Sequence, residues 1–263
     1  MNFDLPGLPD RTDKPRDNGL TMMMDKGLSI RQVEDTLSAS QQYMDIAKLG
    51  FGTSIITNDL QKKLDLYKSA NIQTCFGGTL FELFYAKGLF DDYRKFIDKY
   101  DMPLAEVSDG SISMTHEAKC ECIKVLSQQT TVLSEVGSKD ADKIIPPYKW
   151  IELIQAELEA GAWKVIGEAR EGGNVGLFRS TGEVRSGLVE EILNTIPGEK
   201  IMWEAPLKSQ QVWFIKLLGA NVNLGNIAPN EVIPLETLRL GLRGDTFDMF
   251  MDETVKNKVN SNL

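Results

Sequence analysis

Eight short apolar runs punctuate this chain, each closing on small or charged residues, and a helical pattern follows almost every one. They lie at Leu20–Asp25, Met44–Leu49, Ile72–Phe76, Leu104–Ser108, Thr131–Val136, Trp163–Glu168, Lys200–Glu204 and Val222–Leu224. Strand-like runs alternating with helices are the mark of parallel βα units. Eight such units close into a barrel, whereas an open doubly wound sheet uses five or six strands. The length of 263 residues also suits one barrel of about 250. Neither a GxGxxG nor a GxxxxGK[ST] pattern follows any run, which removes the nucleotide-binding forms of α/β architecture. The sequence therefore predicts a single (β/α)8 TIM-type barrel over residues 19–251, with a polar, proline-bearing arm over 1–18 and a polar tail over 252–263.

Local signals agree. Ser29 and Gln32 form a capping-box pattern ahead of the stripe Ile30, Val33 and Leu37. Trp150, Ile151, Ile154 and Leu158 mark another buried face, which stops at Gly161. The Met22-Met23-Met24 run reads as strand core.

The net charge of −9 argues against nucleic acid or an anionic membrane as a general partner. Anionic substrates would need a local cluster of cations. No apolar run approaches the roughly 18 residues that span a bilayer, and the N-terminus has no secretory apolar region. Cys75, Cys120 and Cys122 lack zinc-site spacing and read as free thiols of a reducing cytoplasm.

In such a barrel the working face is built from the C-terminal ends of the strands. Glu106, Glu135, Glu168 and Glu204 stand near the ends of four consecutive runs, with Asp25 and Asp109 nearby. Gathered carboxylates repel one another unless cations compensate, and a hard divalent ion such as Mg2+ is the simplest compensation. Lys26, Lys48, Lys139, Arg170, Lys208, Arg239 and Arg243 are expected at the same end. Asn223 and Asn226 leave the eighth run around Gly225, where these barrels often hold phosphate. The single histidine, His116, reads as a surface residue in a helix's first turn. Histidine-dependent nucleophilic catalysis and a histidine-ligated metal are thereby excluded. Acid–base work falls to lysine or carboxylate.

Several longer stretches are diagnostic. They include Asp25-Lys26-Gly27-Leu28, Lys48-Leu49-Gly50-Phe51-Gly52-Thr53-Ser54, Gly77-Gly78-Thr79-Leu80-Phe81-Glu82 and Glu106-Val107-Ser108-Asp109-Gly110-Ser111. Glu135-Val136-Gly137-Ser138-Lys139, Glu204-Ala205-Pro206-Leu207-Lys208-Ser209-Gln210-Gln211 and Val222-Asn223-Leu224-Gly225-Asn226-Ile227 follow in order. On these the chain resembles the phosphosulfolactate synthase family over about residues 19–247. One departure is Glu168-Ala169-Arg170-Glu171, where the family's usual pattern has glycine in the second place.

The resemblance implies a homotrimeric barrel catalysing Mg2+-dependent addition of sulfite to phosphoenolpyruvate, giving (2R)-phospho-3-sulfolactate for coenzyme M or sulfolactate formation. Lys139 matches the lysine closing the family's fifth-strand motif and is expected to be the general acid, its pKa lowered by nearby cations and desolvation. Glu135, Glu168 and Glu204 are the expected metal ligands. Lys26, Lys48, Arg170, Lys208, Asn226 and Arg243 are the expected anion-binding residues. Two rival readings stand beside this one. The first is a Schiff-base aldolase using Lys48 or Lys139, and the second a non-catalytic, stress-related interaction protein.

Overall fold

Strand side chains point alternately to opposite faces, and this alternation sorts the barrel into layers. The computed structural model describes residues 5–138 and 145–251. Eight parallel strands close in chain order: β1 (Thr21–Asp25), β2 (Ile46–Leu49), β3 (Gln73–Phe76), β4 (Leu104–Val107), β5 (Thr131–Val136), β6 (Lys164–Gly167), β7 (Ile201–Glu204) and β8 (Leu224–Ile227). Met22, Ile46, Cys75, Leu104, Leu133, Ile166 and Met202 meet in one apolar cluster inside the barrel. Two residues further along, the same inward face carries Lys48, Glu106, Glu135, Glu168 and Glu204. The interior is thus apolar below and charged above.

The intervening positions face the helices, which are α1 (Ile30–Ser40), α2 (Leu60–Ser69), α3 (Gly78–Ala86), α4 (Phe90–Lys99), α5 (His116–Ser127), α6 (Pro147–Glu159), α7 (Ser186–Leu193), α8 (Lys208–Leu218) and α9 (Val232–Arg239). Met23, Ala47, Val165 and Trp203 belong to this outer core. Trp203 stacks on Phe214 of α8 with ring centroids 5.0 Å apart. Phe81 of α3 meets Tyr93 of α4 edge-on at 5.6 Å. Ser29 and Gln32 form the expected reciprocal cap of α1: the Ser29 hydroxyl accepts from the Gln32 amide, and the Gln32 side chain accepts from the Ser29 amide at 2.9 Å.

Two expectations are corrected at the ends of the barrel. The eighth strand begins at Leu224, beyond Asn223, and continues to Ile227. Glycine and asparagine are poor strand formers, so the apolar pattern stops before the ladder does. Asn223 instead sits at the floor, donating to the carbonyls of Glu199 and Ile201 at 3.1 Å and accepting from the Leu20 amide. Arg239 likewise belongs to the floor, because a helix that follows a parallel strand runs back towards the strand's start. Its guanidinium is buried and donates to the carbonyls of Ala220, Val222 and Leu20. From the N-terminal segment, Arg11 reaches the same region: it donates to the Ala220 and Gly19 carbonyls and pairs with Glu236 at 2.9 Å. Among the described residues, no helix is long and apolar enough to cross a membrane.

Candidate active site

The charged upper layer opens into a cavity of about 420 Å3 at the C-terminal ends of the strands. Lys48 projects from β2 into its centre. Its Nζ lies 2.8 Å from Glu106 Oε1, 3.5 Å from Glu204 Oε1 and 3.6 Å from Glu135 Oε2. Burial opposes the ammonium charge, but Glu106, Glu204 and Glu135 outweigh it and hold the Lys48 pKa well above the ordinary lysine value. Burial pushes Glu106 up to about 7; Lys48 works against that rise, and the neighbouring glutamates add to it.

Glu106 Oε1 also accepts the Gly78 amide at 2.8 Å. Only glycine fits at the start of α3, since a Cβ there would lie 2.7 Å from Glu106 Oε1 and closer still to the Ser108 hydroxyl. The sequence Gly77-Gly78-Thr79 therefore brings backbone and the Thr79 side chain to the cavity wall.

Glu135, Glu168 and Glu204 each place one carboxylate oxygen within 4.8 Å of the other two, and all three residues are buried. Glu168 Oε1 accepts from the Arg170 amide at 2.5 Å. Glu204 Oε2 accepts from the Ala169 amide at 3.2 Å and from Asn226 Nδ2 at 3.4 Å. Asn226 Nδ2 also donates to the Arg170 carbonyl at 3.1 Å. Arg170 and Asn226 both take positive φ, +55° and +57°, so this corner is bent sharply to present its side chains. Behind it, the buried Lys119 donates to the Glu135 carbonyl at 2.6 Å and pairs with Glu157 at 2.8 Å and Asp109 at 2.9 Å.

Of the residues singled out from sequence, Lys48, Glu135, Glu168, Glu204, Arg170 and Asn226 line this one cavity. Lys26 stands at the rim, paired with Glu171 from the loop after β6 and 5.9 Å above the Phe51 ring. Lys208 and Arg243 are not among its lining residues, and Lys208 pairs with Asp245 at 2.7 Å. Lys139 lies outside the described residues. Asp25 is fully buried beside the cavity: it receives Lys63 and Tyr67 at 3.0 Å and caps the turn at Gly27 and Leu28. His116 is less exposed than expected, with Nε2 3.4 Å from the buried Glu157 carboxylate. Sequence reasoning missed Met24, Phe51, Glu171 and Asn174 as lining residues. Phe51 carried a signal in the Gly50-Phe51-Gly52 turn; Asn174 carried none outside its loop.

A closed parallel barrel with convergent carboxylates and cations at its C-terminal mouth defines a (β/α)8-barrel enzyme. A sequence model of (2R)-phospho-3-sulfolactate synthase (ComA) matches residues 9–245, and the chain belongs to that family. It is 41% identical over 243 residues to phosphosulfolactate synthase of Bacillus subtilis (strain 168), covering 91% of this chain and 96% of that one. It is 45% identical over 235 residues to phosphosulfolactate synthase of Methanocaldococcus jannaschii, covering 87% and 94%. Among solved structures, 3-hexulose-6-phosphate synthase from Salmonella typhimurium shares the fold, with a TM-score of 0.54 at 12% identity over 82% of this chain and 98% of that one.

Proposed function

We propose that this barrel adds sulfite to phosphoenolpyruvate, forming (2R)-phospho-3-sulfolactate at the mouth of the cavity. Family membership supports the reaction, and one observation carries its placement: Glu135, Glu168 and Glu204 converge beside Lys48 and Arg170 in a single cavity. The sulfur lone pair forms a bond to the substrate's methylene carbon. The π electrons move into the carboxylate, and a proton then arrives at the carbon that bears phosphate.

Three buried carboxylates are an all-oxygen donor set of the hard kind that Mg2+ prefers, so the residues fit the ion the family implies. Bound there, Mg2+ would supply positive charge for the developing negative charge of the substrate carboxylate. The chain's own residues do the rest. Lys48 neutralises part of the glutamate cluster from inside the barrel. Arg170, which makes no side-chain hydrogen bond or ion pair among the described residues, is our assignment for holding a substrate anion. Asn226 fixes the Arg170 backbone, and Lys26 supplies a further cation at the rim. Lys139 is our assignment for the proton donor, from its place at the end of the Glu135-Val136-Gly137-Ser138-Lys139 sequence motif that the family resemblance carries. We extend the proposal to homotrimeric assembly, as the resemblance implies, and to a cytoplasmic setting, which the free thiols Cys75, Cys120 and Cys122 support.

Against the Schiff-base alternative at Lys48, that lysine stands among three carboxylates as an ammonium, and an ammonium is no nucleophile; the same alternative at Lys139 falls outside the described residues. The gathered charges likewise speak against a non-catalytic role. The deciding assay follows phosphoenolpyruvate with and without sulfite and Mg2+. Consumption requiring both is expected; turnover independent of sulfite overturns the proposal.

A further inference from the structure

The loop after β6 supplies Arg170, Glu171, Gly172 and Asn174 to the cavity, yet one of the residues that shape this loop, Gln210, is not among the cavity's lining residues. Gln210, in the first turn of α8, is 1% exposed. Its amide nitrogen donates to the Gly173 carbonyl at 2.8 Å and to the Gly182 carbonyl at 3.0 Å, gripping both limbs of the loop. Its amide oxygen accepts from the Leu207 amide at 3.1 Å, which fixes the orientation of the group.

The grip is transmitted inward by one short path. The Gly173 amide donates to the Arg170 carbonyl at 3.2 Å, the same carbonyl that receives Asn226 Nδ2. Gly173 is held on one side by Gln210 and on the other holds Arg170. The fit is close: Gly173 has φ +61°, and a Cβ there would lie 2.6 Å from Gln210 Nε2. Gly176 also has φ +61°, and a Cβ on it would run into the Glu168 carbonyl. Both limbs are thus bonded to Gln210, and the two glycines leave no room for a side chain beside it or beside the Glu168 carbonyl.

We propose that Gln210 is a positioning residue for substrate binding, holding Arg170 over the barrel mouth through the backbone of Gly173. The proposal rests on the assignment of Arg170 to a substrate anion. Gln210 touches no reacting atom. Its contribution belongs in the affinity for the anion, because a mobile loop must be ordered before Arg170 can bind.

Gln210→Met keeps the volume and removes both donors. It should raise KM for phosphoenolpyruvate about tenfold while leaving kcat within roughly threefold. Arg170→Met should raise KM comparably, and the double variant should be no worse than the poorer single one, since both act on the same contact. Hydrogen–deuterium exchange gives a readout independent of turnover: amides of 171–183 should exchange faster in Gln210→Met, with those of β2–β5 unchanged. If Gln210→Met does not fold, Gly173→Ala breaks the same grip from the loop side and should give the same rise in KM. Unchanged KM and exchange, multiplying effects in the double variant, or a loss confined to kcat would each overturn the proposal. A wild-type enzyme that ignores sulfite removes the functional reading instead, and the grip then stands or falls on exchange alone.

Discussion

At the scale of single residues, the centre of the site is a balance of buried charge. Lys48 contacts three glutamates, none more than 4% exposed. Removing one partner from such a group leaves the others uncompensated and costs about 3–5 kcal/mol. Lys48→Met should therefore lose stability of that order in urea unfolding as well as activity. Adding Glu106→Gln should recover part of the stability and none of the turnover. The metal assignment is tested separately. Mg2+ should raise the Tm of the wild-type protein, and Glu168→Gln should shift the Mg2+ concentration for half-effect upward by at least about tenfold. An equal response in both proteins would place the ion elsewhere. The carboxylates were legible in the sequence because each stands near the end of an apolar run. Lys119 was not, because a lysine in an amphipathic helix looks solvated until the Glu157 and Asp109 carboxylates are seen around it.

At the scale of elements, apolar periodicity located seven of the strands within two residues. It failed at β8 because Gly225 and Asn226 interrupt the pattern while the backbone continues to pair with β1 and β7. Arg239 was set at the wrong end because charge alone does not say which way a helix carries it. The loop after β6 could not be drawn from sequence at all, since its shape comes from Gln210 and Asn226, which lie 28–56 residues from the carbonyls they bind. Helix capping was fully local and therefore readable. Ser29→Ala should cost about 1 kcal/mol in chemical unfolding and leave turnover unchanged, because α1 contributes no residue to the cavity wall. A larger loss would mean that the cap also fixes the turn held by Asp25.

At the scale of the whole molecule, the two ends of the barrel do different work. The floor is tied by Arg11, Arg239 and Asn223 to backbone carbonyls, while the mouth gathers the chemistry. Arg11→Ala should accordingly lower stability by about 3 kcal/mol, seen as a fall in Tm, with KM unchanged at temperatures where the protein stays folded. A changed KM would show that the floor communicates with the mouth. Between the two ends lies the layer of Met22, Ile46, Cys75, Leu104, Leu133, Ile166 and Met202, and it is an electrical insulator. Mobile ions reach the glutamates through the mouth alone, and buried pairs such as Lys48 with Glu106 and Glu204 are screened far less than exposed charges, whose interactions fade beyond a Debye length of about 10 Å. Added salt reaches the rim, where Lys26, Glu171 and Arg170 face solvent. Ionic strength thus acts more strongly on how the anions are captured than on the inner field that acts on them once bound.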